Sequence, residues 1–235
     1  MRLGLVIPSS NVVLEPLAAA LQRDRADITV HVSRLGVLAV QLSDASRAQF
    51  ELDAHVAAAV LLNDAKVDRI IWGGTSASWL GIAKDEAFVA RVIAETGVPT
   101  TTSVLEINRQ LNTLCARRIA IVTPYTDDVA EQINATYRGL GFEIAASRNY
   151  GGEMSLDFAS IPPDTIADMI LEVADAGPDA IVIMCTNIAG AGVAAKLAPE
   201  IGLPILDSAA VTLPLASNLV SGILREPRSD RGGVT

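Results

Sequence analysis

The feature that most constrains this chain is that it runs through one structural plan twice. "RLGLVIP" at 2–8 is a continuous apolar run cut by a proline, followed by the helical spacing of "SSNVVLEPLAAALQ". "RRIAIVTP" at 117–124 repeats the run, and "YTDDVAEQINATYRGLG" repeats the amphipathic helix, closed by Gly139 and Gly141. "ITVHVSRL" answers to "FEIAASRNY", and a helix expected over 45–65 answers to one over 163–176. "DRIIWGG" then matches "DAIVIMC", and "GVPTTTSVLEIN" matches "GLPILDSAAVTL" as strand, serine (Ser103, Ser208) and helix. The landmarks stand about 105–116 residues apart, far beyond a solenoid repeat.

Strands alternating with helices predict parallel sheets. The expected fold is therefore α/β. It has two pseudo-symmetric Rossmann-like subdomains, each a four- or five-stranded parallel sheet flanked by helices, with the active site in the cleft between them. The expected boundaries are 1–112 and 113–222, and 223–235 ("REPRSDRGGVT" and its lead-in) is expected to be a flexible tail. Composition agrees: half of the 235 residues are apolar and 19% charged, enough for a large core, and aromatics are only 4%.

Charge narrows the partners. The net charge is −9 without a basic cluster, which disfavours a nucleic-acid surface. "MRLGLVIPSSN" is too short and too soon polar for a signal peptide, and no run approaches the ~18 apolar residues of a membrane span. "AHVAAAVLL" between Asp53 and Asp64 reads as a buried helix. A cytoplasmic protein, monomer or homodimer, without membrane or nucleic-acid partners, is expected. Two cysteines (Cys115, Cys185) and two histidines (His31, His55) support neither a disulfide framework, nor a Cys/His zinc site, nor a histidine-based triad, so no metal site is expected.

Ligands of open α/β sheets bind beyond the carboxyl ends of the strands. Here those ends are Pro8–Asn11, Gly73–Ser76, Pro124–Tyr125 and Cys185–Asn187. "GGTSAS" offers hydroxyls and free N–H groups, and also reads as a plain tight turn. Cys185 ends a buried strand, where a cysteine commonly serves as a small core residue; the polar "TN" after it suggests a reactive thiol. One of Ser9, Ser10 and Asn11 is accounted for as a helix cap. "IAGAG" lacks the lysine of a phosphate loop. Cys115 falls on the apolar face of "EINRQLNTLCARR" and is expected in the core; Trp72 is expected to pack, Trp79 to wall a pocket, and both histidines to be structural or exposed.

In the order "GLVIPSSNVVLEP", "GGTSAS", "VTPYTDDVAE", "CTN" and "GLPILDS", the chain resembles the aspartate/glutamate racemase superfamily, in its branch of maleate isomerases and arylmalonate decarboxylases. The resemblance implies two cysteines facing each other across the substrate in the racemases and isomerases. This chain keeps the second as Cys185 and has Gly74 in place of the first, the arrangement of the decarboxylases. "PSSN" and "CTN" look more like the isomerases, in which the counterpart of Asn11 holds a substrate carboxylate; a second such asparagine would fall near Ser155.

The activity implied by the resemblance is that of a cofactor-independent carbon–carbon lyase acting on a small carboxylate or dicarboxylate. It would decarboxylate a disubstituted aryl- or alkenylmalonate, with Cys185 as catalytic proton donor. Pro8, Ser9, Asn11, Gly74, Thr75, Ser76, Tyr125, Thr186 and Asn187 would bind substrate, with Thr75, Ser76, Tyr125 and Thr186 as hydrogen-bond donors to the retained carboxylate. Val37, Val40 and Phe158 would line an apolar pocket. The alternatives are a maleate cis-trans isomerase or racemase lacking the first cysteine, and a non-catalytic carboxylate binder. Gly74→Cys is expected to restore the second face and give some racemisation.

Overall fold

The structure is a computed structural model, and it describes residues 1–213. The carboxyl-terminal part of the second expected unit and the expected tail lie outside the described residues. Each half of the molecule holds one four-stranded parallel sheet, ordered β2-β1-β3-β4 in the first and β6-β5-β7-β8 in the second. The strands of the first are β1 (Arg2–Pro8), β2 (Thr29–Leu35), β3 (Arg69–Trp72) and β4 (Thr100–Thr102). Those of the second are β5 (Arg118–Thr123), β6 (Glu143–Asn149), β7 (Ala180–Ile183) and β8 (Ile205–Asp207). The central strands are buried on both faces, which is why they read as unbroken apolar runs rather than alternating ones.

Helices cover the sheets. In the first half these are α1 (Leu14–Asp24), α2 (Asp44–Ala48), α3 (Leu52–Asn63), α4 (Ala77–Leu80) and α5 (Ala83–Thr96). α6 (Ser103–Thr113) leads into the second half, which adds α7 (Asp127–Gly139), α8 (Pro163–Ala174), α9 (Ala191–Ile201) and α10 (Ser208–Thr212). α10 crosses back: Ala209 and Leu213 pack with Leu3, Leu5, Ile7 and Leu14 of the first half. The hydroxyls of Ser103 and Thr212, each from the first or last residue of its helix, hydrogen-bond at 2.5 Å. The larger core runs from Val6 and Trp72 through the second sheet to α8 and α9.

Two expected elements differ in ways that matter for the site. The helix expected over 45–65 breaks at 49–51. There Gln49 spends its side chain on the preceding loop, accepting from Leu38 N–H at 2.7 Å and donating to Ala39 O at 3.1 Å, and buried Phe50 lies in the gap between α2 and α3. The helix expected from Ser9 begins only at Leu14, because Asn11 Oδ1 first accepts the N–H groups of Val13 and Leu14 at 3.0 Å each. Cys115 is exposed, contrary to the core position its spacing suggested. α6 ends at Thr113, and the chain turns at Cys115 with φ +53, so the helical phase that placed it inward stops before reaching it.

Candidate active site

The pseudo-twofold relation is visible in single hydrogen bonds. Beyond β3, Gly73 N–H donates to Val6 O at 2.7 Å; beyond β7, Met184 N–H donates to Val122 O at 2.8 Å. Ser103 Oγ donates to Trp72 O at 3.1 Å, and Ser208 Oγ makes the matching bond to Ile183 O. These pairs place Gly74 and Cys185 at equivalent positions, with Thr75 and Thr186 next to them.

Both positions open on one small cavity between the halves. Its walls include Pro8, Asn11, Val37, Val40, Gly74, Thr75, Ser76, Tyr125, Phe158, Cys185, Thr186 and Asn187. Of the residues expected from the sequence, Ser9 is missing from that wall: its hydroxyl bonds the backbone of Val37, accepting from N–H at 3.1 Å and donating to O at 3.3 Å. Phe50, Trp72, Trp79 and Ser155 complete the wall. Phe50 carries no signal in the sequence, which reads as one helix through it, while Trp79 has the wall position expected of it.

The hydrogen bonds sort the polar residues into braces and free donors. Asn187 is a brace: Nδ2 donates to Ser155 O at 2.6 Å and Ser10 O at 3.3 Å, and Oδ1 accepts from Val12 N–H at 2.9 Å. Both Nδ2 hydrogens are thus spent, and the side chain has no N–H left to donate to a carboxylate. The Thr186 hydroxyl donates to Gly73 O at 2.8 Å and accepts from Asn11 Nδ2 at 3.1 Å, so its proton is also committed. Asn11 keeps one of its two Nδ2 hydrogens. Among the described residues, no protein acceptor takes the backbone N–H of Gly74, Thr75, Ser76, Cys185 or Thr186, nor bonds the Ser76 hydroxyl. Two runs of free amide donors, one from each half, therefore border the cavity, an arrangement suited to anionic oxygens.

Tyr125 bridges the halves. Its hydroxyl lies 3.1 Å from Thr75 Oγ1, and the residue shares the cavity wall with Cys185. Burial, with the nearby Cys185, holds the phenol well above its ordinary pKa, so it stays protonated. Burial also pushes the Cys185 thiol up to about 11, against the pull of the Tyr125 hydroxyl and of Asn187 N–H at 3.4 Å from the sulfur. The next helix, α9, starts only at Ala191, six residues beyond the thiol. Asp207 pushes the thiol in the same direction as burial does. Its own carboxyl is raised to about 7 by burial; Oδ1 caps α10 through Ala210 N–H at 2.8 Å, while Oδ2 has no partner among the described residues. Gly190, the first glycine of "IAGAG", serves this packing, since a Cβ there would stand 2.7 Å from Asp207 Oδ2.

Loops from the two halves meet beside the cavity, to which they contribute Val40 and Ser155. The segment after β2 and the segment after β6 form an antiparallel bridge at Ala39 and Met154. Val40 N–H donates to Glu153 O at 3.1 Å, Ser155 N–H to Leu38 O at 3.0 Å, and Gln41 Nε2 to Glu153 Oε2 at 2.8 Å. The cavity is small, about 30 Å³.

His55 is buried and structural, its imidazole 4.5 Å from the Trp72 indole in a T-shaped pair, and burial lowers its pKa to about 4. His31 lies in β2 beside Thr29, outside the cavity.

Comparison with known proteins agrees with this architecture. A curated maleate isomerase of Geobacillus stearothermophilus is 25% identical over 225 residues, covering 90% of this chain and 88% of that protein. The crystal structure of a maleate isomerase variant from Pseudomonas putida S16 with maleate superposes with a TM-score of 0.83 at 23% identity, covering 94% and 92% of the two chains. A crystal structure of arylmalonate decarboxylase gives 0.73 at 21% identity, covering 100% and 94%. Among the described residues, no helix is long and apolar enough to cross a membrane. The family described as arylmalonate decarboxylase matches residues 3–222, and the chain belongs to that family.

Proposed function

We propose that the protein is a cofactor-independent decarboxylase of disubstituted malonate-type acids, with Cys185 as its proton donor. The observation that carries this reading is the pairing of Gly74 with Cys185 at equivalent positions of the two halves. One side of the bound substrate meets a thiol, and the other meets a residue with no side chain.

The count of thiols decides the chemistry. In decarboxylation the bond from Cα to one carboxylate breaks, and its electron pair moves into the retained carboxylate as CO₂ leaves. The resulting enediolate is planar and carries extra negative charge on two oxygens. The free amides of Gly74, Thr75 and Ser76, with the Tyr125 and Ser76 hydroxyls, are the donors for those oxygens; each such donor typically lowers a barrier by ~2.7–4 kcal/mol. The S–H proton of Cys185 passes to Cα, and solvent reprotonates the thiolate. A thiol held at about 11 is present almost wholly as S–H at neutral pH, the form this step needs.

A second reading, maleate isomerisation, is favoured by the curated relatives that bear that name and by the remaining Asn11 N–H. It requires a nucleophilic thiolate or two acid–base groups. With its pKa at about 11, Cys185 would be thiolate in only about one molecule in 10,000 at pH 7, and Gly74 supplies nothing. The test is to incubate the protein separately with an arylmalonate, an alkenylmalonate and maleate and to track each by NMR. CO₂ release and monoacid formation support the decarboxylase; fumarate formation supports the isomerase. Stabilisation by these acids without turnover would leave a carboxylate binder.

A further inference from the structure

We propose that the Trp72 indole occupies the space in which a side chain at position 74 would have to sit, so that one-sided protonation is enforced by volume and not only by a missing thiol. The inference rests on Cys185 being the proton donor and names the residue that closes the opposite face.

A Cβ built on Gly74 would lie 2.2 Å from Cζ2, 2.5 Å from Cε2 and 2.9 Å from Cη2 of Trp72. Real Cβ atoms do not approach other atoms so closely, and a cysteine would need room for a sulfur as well. The indole is fully buried and is not free to swing aside. His55 packs against it at 4.5 Å; Phe50 stacks on His55 at 6.0 Å and meets Trp79 edge-on at 5.5 Å; Phe88 meets His55 at 6.0 Å. Moving the ring means displacing an aromatic cluster that also walls the cavity.

The second half shows what a thiol at this place requires. The counterpart of Trp72, fixed by the matching serine bonds to its carbonyl, is Ile183. The first half therefore pairs a large residue with glycine, and the second pairs an isoleucine with Cys185. Gly74→Cys alone does not reproduce the second arrangement. This corrects the expectation that the single substitution restores the second face; Trp72 must shrink as well.

The test compares Gly74→Ala, Gly74→Cys, Trp72→Ile and both double variants in the full chain; Trp72→Phe replaces Trp72→Ile if the latter does not fold. Gly74→Ala is expected to lower Tm by about 4 °C or more in the wild-type background, and by less than half as much when Trp72 is already Ile. In D₂O, the Trp72→Ile/Gly74→Cys protein is expected to exchange the α-proton of both enantiomers of a 2-arylpropionate at least about tenfold faster than Gly74→Cys, a change that general repacking would not produce. If Gly74→Ala costs the same in both backgrounds, or Gly74→Cys alone exchanges as fast as the double variant, the proposal is overturned. If the thermal rescue appears but neither wild type nor the double variant acts on these acids, the indole still fills the site, and the decarboxylase reading fails instead.

Discussion

The Tyr125 hydroxyl, carried by the second half, lies 3.1 Å from Thr75 Oγ1 of the first. This donor stands at the amide-lined strand end, on the same cavity wall as Cys185. Tyr125→Phe removes it while preserving the ring that packs edge-on against Phe158 at 5.5 Å. The expected result is a fall in kcat of about 10²–10³, as for other single donors to a developing oxyanion, with a smaller change in KM. Steady-state kinetics check it; an unchanged kcat would remove Tyr125 from the reaction.

Asp207 sets a pH dependence. Its carboxyl, raised to about 7, is ionised throughout the alkaline range and there opposes formation of the Cys185 thiolate. Asn keeps the cap on α10, since it accepts from Ala210 N–H as Asp does. Asp207→Asn should therefore shift the alkaline loss of activity, which tracks thiol ionisation near 11 in the wild type, to lower pH. A pH–rate profile of both proteins, with thiolate absorbance as a second readout, decides it. The same substitution bears on stability. A carboxyl whose folded pKa is raised contributes stability that is fully present below its unfolded value and is lost as pH rises through about 7. Asp207→Asn should remove that part of any decline in Tm between about pH 4 and pH 7.

The bridge between Ala39 and Met154 offers a lock. With Ala39→Cys and Met154→Cys combined, oxidation should hold the two loops together beside the small cavity and abolish turnover, and a reductant should restore it. Full activity of the cross-linked protein would mean that substrate enters by another route.

The plan of two equivalent halves was legible because four strand ends recur in the same order, and strand ends of open α/β sheets are where ligands bind. The same pattern singled out Gly74, Thr75, Tyr125 and Cys185, which the fold brings to one cavity wall. What it could not convey was how each polar side chain spends its hydrogen bonds. Ser9, Asn187 and the Thr186 hydroxyl have suitable chemistry at suitable places, yet each is committed to backbone or a neighbouring side chain brought near only by folding. Cys115 was misplaced because periodicity continues on paper past the point where α6 ends. Trp72 read as a packing residue, and it is one; its effect on position 74 depends on ring volume between neighbouring residues, which no spacing rule records.

The most direct test of the central claim is the reaction of a prochiral aryl- or alkenylmalonate in D₂O, with wild type beside Cys185→Ala and Cys115→Ala. The account predicts monoacid deuterated at Cα with one configuration in large excess, activity abolished in Cys185→Ala and nearly intact in Cys115→Ala. Racemic deuterated product, or Cys185→Ala working as well as Cys115→Ala, would contradict it.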